Sequence, residues 1–128
     1  MDKIRFLEFD HVVRIHMSMI ERYGGGPGIC DTGLLQSAIA MPQASFGDQR
    51  LHTDLFEMAA AYLFHIVRNH PFIDGNKRTG AASAIVFLAM NEIEIEADEE
   101  GLVELTLGVA SSRTDKPEVA AFFRDRAH

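Results

Sequence analysis

Residues 70–80 of this chain read HPFIDGNKRTG. Between His70 and Arg78 stand an imidazole, a carboxylate, a primary amide and two cations. A connecting turn needs the proline and the glycine but none of the others. Pro71 disfavours helical angles at His70, so a helix arriving there must end. The next helix has to begin near Gly75 or Asn76, which puts Lys77 and Arg78 in its first turn. Cations at that end oppose the helix dipole, at roughly 0.3–1 kcal/mol each. They make sense if an anion is bound. Free backbone N–H groups, the positive end of the dipole and two cationic side chains together describe a phosphate site.

Phosphoryl chemistry gives the remaining residues their tasks. Asp74 can hold Mg²⁺, which takes oxygen ligands and bridges to substrate phosphates. Its competing task is to cap the helix. Asn76 can donate its amide to a phosphate oxygen, or again serve as a cap. Gly75 allows a backbone to approach a ligand closely. His70 stands where it can take a proton from an attacking hydroxyl. A histidine alone at a helix end is more often structural, and it is the neighbouring residues that favour the catalytic role. Two other chemistries fit less well. A metal hydrolase built on His65, His70 and Asp74 would need its histidines five apart across a helix end, unlike the i, i+4 pair of zinc proteases. Cys30 has no histidine beside it in the sequence to activate a nucleophile.

The elements on either side must be central. TDLFEMAAAYLFHIVRN (53–69) begins with Thr53 or Asp54 as cap and Glu57 in capping-box position, and it is apolar almost all round. The segment Gly80 to Met90 behaves the same way, with Gly80, Ala81, Ala82 and Ala84 permitting close packing. Upstream, IRFLEF (4–9) reads as a short strand, followed by a helix capped by Asp10 with Val12, Val13, Ile15, His16, Met19 and Ile20 on its apolar face. RYGGGPG (22–28) ends that helix and reads as a linker, since it lacks both GxGxxG and a GK[ST] ending. A helix from Asp31 to near Pro42 leads into PQASFGDQRLH (42–52), a hairpin or an irregular loop. EIEIEA (92–97) alternates with period two, as a strand does, and two amphipathic helices finish the chain. The periodicities sum to about six helices and a mostly all-α domain spanning 1–128.

Composition narrows the partners. The net charge is −7, much of it from EIEIEADEE (92–100), which argues against direct binding of nucleic acid. Arg68, His70, Lys77 and Arg78 therefore form a basic island in an acidic protein. No apolar run approaches the roughly 18 residues of a membrane span. The N-terminus is charged from its second residue, unlike a signal peptide. A single cysteine cannot close an internal disulfide, in keeping with a cytoplasmic setting.

HPFIDGNKR resembles the Fic/Doc superfamily signature HPFx[DE]GNxxR, and RYGGGPGICDTGLLQSAIAMPQASFG resembles the N-terminal half of Doc, or death-on-curing, toxins. The likeness spans roughly residues 10–125. It implies a Fic fold with a short β-hairpin flap and an active loop joining two central buried helices. It further implies that His70 is the catalytic base and Asp74 the Mg²⁺ ligand. Gly75, Asn76, Lys77 and Arg78 would hold the phosphates of ATP, Phe72 would anchor the loop, and residues 43–52 would form the flap that positions target peptide. AMP-transferring Fic enzymes read HPFxxGNGRxxR, whereas this chain has Lys77 in place of the second glycine and Ala81 in place of the second arginine. That pattern is the Doc version. The implied activity is a kinase that moves the γ-phosphate of ATP to a translation factor, elongation factor Tu, with Lys77 taking part in the transfer. An AMP transferase with an atypical loop is the alternative, and an inactive helical binding module a second one. The inhibitory motif [ST]xxxE[GN] of many Fic proteins is not matched at Thr53–Glu57, because Met58 follows. Control by a small antitoxin supplied in trans is therefore expected.

Overall fold

The computed structural model describes residues 3–128. Six α-helices follow in chain order: α1 Phe9–Tyr23, α2 Thr32–Ala40, α3 Leu55–Asn69, α4 Asn76–Met90, α5 Glu99–Ala110 and α6 Lys116–Arg126. A 3-10 turn, Met41–Gln43, prolongs α2, and strands β1 Ser45–Phe46 and β2 Gln49–Arg50 form an antiparallel hairpin. The expected mostly helical architecture with a short β-hairpin is thus the observed one. Local chemistry sets most helix starts. Asp31, Asp54, Asp98 and Asp115 each accept a hydrogen bond from the N–H three residues on, satisfying groups no helix can pair internally. α1 departs from expectation. Its N-cap is Glu8 rather than Asp10, because the Glu8 N–H finds His11 Nδ1 at 2.8 Å and the helix starts earlier.

α3 and α4 form the centre and cross closely at Gly80. A Cβ at Gly80 would lie 2.9 Å from Val67 Cγ2 and 3.1 Å from the Leu63 carbonyl oxygen, so only hydrogen fits. Tyr62, Leu63, Ile66, Phe87 and Leu88 are fully buried around this contact, with Phe123 of α6 closing the far side. The stretch between these two helices is held rigidly at both ends, which is what a site requires.

Two expected strands do not form. Residues 4–8 run beside α3 and α4 without a partner strand, pinned by side chains instead. Leu7 N–H donates to the Tyr62 hydroxyl at 2.8 Å, and the Asn91 side chain bonds both Arg5 N–H and the Arg5 carbonyl. EIEIEA makes a single bridge, Ile95 to Ala127, with Ile93 and Ile95 turned to the core and the glutamates to solvent. The alternation was real, but no second strand lies alongside to extend the ladder.

A cationic hub joins α6 to the hairpin loop and α3. Lys116 Nζ lies 3.2 Å from His52 Nε2 and 3.0 Å from His65 Nε2. An ammonium can only donate, so both imidazoles are neutral at Nε2. Burial first, then the Lys116 charge, then His52, push the His65 pKa down to about 4 from its ordinary 6.5. His52 is lowered by burial and by Lys116 against an opposing pull from Glu57. Between those values the unfolded chain binds a proton that folded His65 refuses, so stability falls as pH drops from about 6.5 to about 4. The ring is partly exposed, which reduces the loss to about 1–2 kcal/mol. Urea unfolding at about pH 7.5 and about pH 4.5 should show that decrease, and His65→Gln should remove most of the difference between the two curves.

Candidate active site

The loop between α3 and α4 is shaped by its own residues. His70 caps α3 in the left-handed conformation, φ 52° and ψ 53°, with its N–H on the Ile66 carbonyl. That conformation costs a non-glycine residue about 1–2 kcal/mol. Two anchors outweigh it. Phe72 is fully buried, worth about 1.5–3 kcal/mol. Asn76 clasps the Phe72 backbone: Phe72 N–H donates to Asn76 Oδ1 at 2.9 Å, and Asn76 Nδ2 donates to the Phe72 carbonyl at 2.9 Å. The result is an imidazole on an exposed, strained position at the rim of a cleft of about 670 Å³. Strain held in place by surrounding structure is typical of functional positions.

α4 begins at Gly75, φ 80°, without any side-chain cap. The backbone angle favours glycine there, and a Cβ would also press on Ile20 Cδ1 at 3.2 Å. The first hydrogen bond of the helix is Thr79 N–H to the Gly75 carbonyl. Asn76, Lys77 and Arg78 therefore carry N–H groups with no partner inside the helix. Lys77 and Arg78 are exposed and line the same cleft as His70 and Asp74. Arg78 stacks over the Tyr23 ring, 4.3 Å to its centroid, which orients the guanidinium. Ala81 and Ala82 form the cleft floor, and Leu102, Val103 and Leu107 of α5 its apolar wall.

Several residues sit differently from the sequence reading. Asp74 does not cap α4; its Oδ2 accepts the Gly26 N–H at 2.7 Å, which leaves Oδ1 for another partner. The Asn76 amide is buried and committed to Phe72, so what it can offer a phosphate is its backbone N–H. Arg68 leaves the basic island: its guanidinium bonds the Val109 carbonyl and the Ser112 hydroxyl at the end of α5. Thr53 and Glu57 belong to the start of α3, the Thr53 N–H donating to Glu57 Oε1 at 2.9 Å. His65 is engaged with Lys116.

Sequence reasoning missed the role of RYGGGPG. Far from a linker, residues 25–31 run antiparallel to the active loop and brace it. Cys30 N–H and Asp31 N–H both reach the Pro71 carbonyl, Ile73 N–H reaches the Gly28 carbonyl, and Ile29 bridges Phe72. Gly25 and Gly26 press directly on Asp74; a Cβ at Gly26 would stand 3.1 Å from its Oδ2. The available signal was the run of glycines itself, which permits close backbone approach.

The Fic/DOC family model matches residues 6–88, which takes in the glycine brace, the hairpin, both central helices and the loop. This chain belongs to the Fic/DOC family. The protein kinase doc of Escherichia phage P1 is 36% identical over 121 residues, covering 94% of each chain. Toxin Doc of Mycolicibacterium smegmatis is 42% identical over 76 residues, 59% of this chain and 58% of its own. Within the Fic/DOC family the chain is thus Doc-like, in line with Lys77 and Ala81 at the two positions that separate the branches. Among the described residues no helix is long and apolar enough to cross a membrane.

Proposed function

We propose that this Fic/DOC protein is a Doc-type protein kinase that transfers the γ-phosphate of ATP to a hydroxyl of a translation factor, elongation factor Tu, and so arrests growth in the cytoplasm. The observation that carries the reading is the meeting of His70, Asp74, Lys77 and Arg78 on one cleft with the uncapped start of α4. His70 accepts the proton of the target hydroxyl. The N–H groups of Asn76, Lys77 and Arg78, with the two cationic side chains, hold the phosphates and neutralise charge that builds in the transition state.

The residues fit Mg²⁺. Among the described residues no group of three or more histidine, cysteine or acidic side chains converges as a metal cage. Mg²⁺ needs none, since it is commonly held by one or two carboxylates, waters and the substrate phosphates. Asp74 supplies such a carboxylate, with Oδ2 fixed on Gly26 and Oδ1 open. Asp74 would hold the metal through this oxygen, and the ion would supply positive charge to offset that of the phosphates.

The hairpin fits the flap role expected of residues 43–52. Phe46 is 83% exposed and Leu51 54%, and neither hairpin strand has a neighbour on its outer edge among the described residues. An extended target segment can add there as a further strand. The relative named as a toxin supports a small antitoxin in trans. Its flexible segment would fold over the hairpin and the His70 cleft and shut out the target. The same segment would reach Arg68 beside His70, which is exposed while its guanidinium is hydrogen-bonded to the Val109 carbonyl.

Lys77 separates the kinase from the AMP-transfer alternative. Purified protein with its target and ATP labelled on either the α- or the γ-phosphate should transfer γ label only. Lys77→Gly should lose that transfer without becoming an efficient AMP transferase, because Ala81, one turn further along α4, supplies no second arginine. A target carrying an AMP group after reaction with the unmodified chain would make the AMP transferase the correct assignment.

A further inference from the structure

One buried residue of α1 reaches the active loop from far away in sequence. His16 Nε2 stands 2.8 Å from the carbonyl oxygen of Asp74, 58 positions later. A carbonyl only accepts, so Nε2 carries the proton. The ring is 2% exposed and lies flat on Phe72, with centroids 3.8 Å apart and planes 5° from parallel. One turn on, Ile20 occupies the space beneath Gly75, and near the end of α1 Tyr23 receives Arg78. Positions 16, 20 and 23 follow i, i+4, i+7, one face of a helix. That face underlies Asp74, Gly75 and Arg78 in turn.

The ordinary explanation is a core histidine satisfying its N–H on the nearest carbonyl. Filling space against Phe72 would not need a donor at all, and an apolar ring would avoid the desolvation of an imidazole. The acceptor is also particular. It is the backbone of the loop residue that presents the open carboxylate oxygen to the cleft.

We propose that His16 is a positioning residue of the active loop. Its bond to the Asp74 carbonyl fixes the peptide plane between Asp74 and Gly75, whose N–H then points the opposite way, away from His16. With Oδ2 held by Gly26 and the backbone by His16, the open Oδ1 of Asp74 has one direction. The role of Asp74 rests on the kinase reading; the anchoring of the loop does not.

Two substitutions separate anchoring from packing. His16→Phe keeps a flat ring on Phe72 and removes the donor; His16→Gln restores an N–H near the Nε2 position. Thermal melting, amide hydrogen exchange of residues 73–76, Mg²⁺-ATP affinity by calorimetry, and kcat and KM for target phosphorylation are compared. His16→Phe should melt close to the unmodified chain yet exchange faster at 73–76. It should bind Mg²⁺-ATP and turn over roughly 10–100-fold less well, with target KM little changed, as removal of a ligand's supporting hydrogen bond does elsewhere. His16→Gln should recover most of each loss. Unchanged exchange and turnover in His16→Phe, or a glutamine variant no better than phenylalanine, would overturn the proposal. Should the unmodified chain transfer no phosphate, the kinase reading falls, and the exchange comparison alone decides whether His16 positions the loop.

Discussion

Replacing His70 by alanine is expected to lower target phosphorylation by roughly 10²–10⁴-fold and to abolish growth arrest at equal protein level. The imidazole is exposed on the cleft and makes no hydrogen bond to another side chain among the described residues, so its removal breaks nothing that holds the fold. Alanine tolerates the left-handed φ of 52° no better than histidine, and stability should barely change. His70→Gly sharpens the test. Glycine relieves the backbone strain, so that variant should be more stable by up to about 1 kcal/mol and equally inactive. Greater stability with lost activity marks a residue kept at a structural cost for chemistry. Full toxicity of the alanine variant would show that another group is the base.

Asp74→Asn should abolish Mg²⁺-dependent transfer while the chain stays folded. The asparagine Oδ1 can take the Gly26 N–H that Asp74 Oδ2 now accepts, so the brace of residues 25–31 survives. What disappears is the negative charge and the second carboxylate oxygen that Mg²⁺ requires. The fold has no stake in the exchange, because α4 draws its start from Gly75 and from Asn76 rather than from this side chain. Circular dichroism and melting temperature should match those of the unmodified chain, while γ-phosphate transfer drops to background at every Mg²⁺ concentration. Retained activity would mean that the carboxylate serves only to hold Gly26.

The sequence by itself determined the local turns and the chemistry they carry. Pro71 and Gly75 dictate where α3 stops and α4 starts, Pro71 by disfavouring right-handed helical angles at His70 and Gly75 through its own left-handed angle. Asp31 and Asp54 start their helices through N–H groups three residues away. The all-round apolarity of α3 and α4 placed them at the centre, and the nine residues from His70 to Arg78 pointed to phosphate chemistry and to the Doc pattern. Tertiary structure alone decided where the polar side chains point. The Asp74 carboxylate turns to Gly26, 48 positions away, the His16 ring to the Asp74 carbonyl, 58 positions away, Arg68 to the end of α5, and Arg78 to Tyr23. Asn76 was ambiguous because a cap, a phosphate donor and a clasp on Phe72 all use the same amide. The glycine run read as a linker because its function lies in what it touches, and the two expected strands failed because a ladder needs a neighbour that periodicity cannot supply. Backbone preference is encoded within a few residues; the partner of a side chain depends on which segments the core brings together.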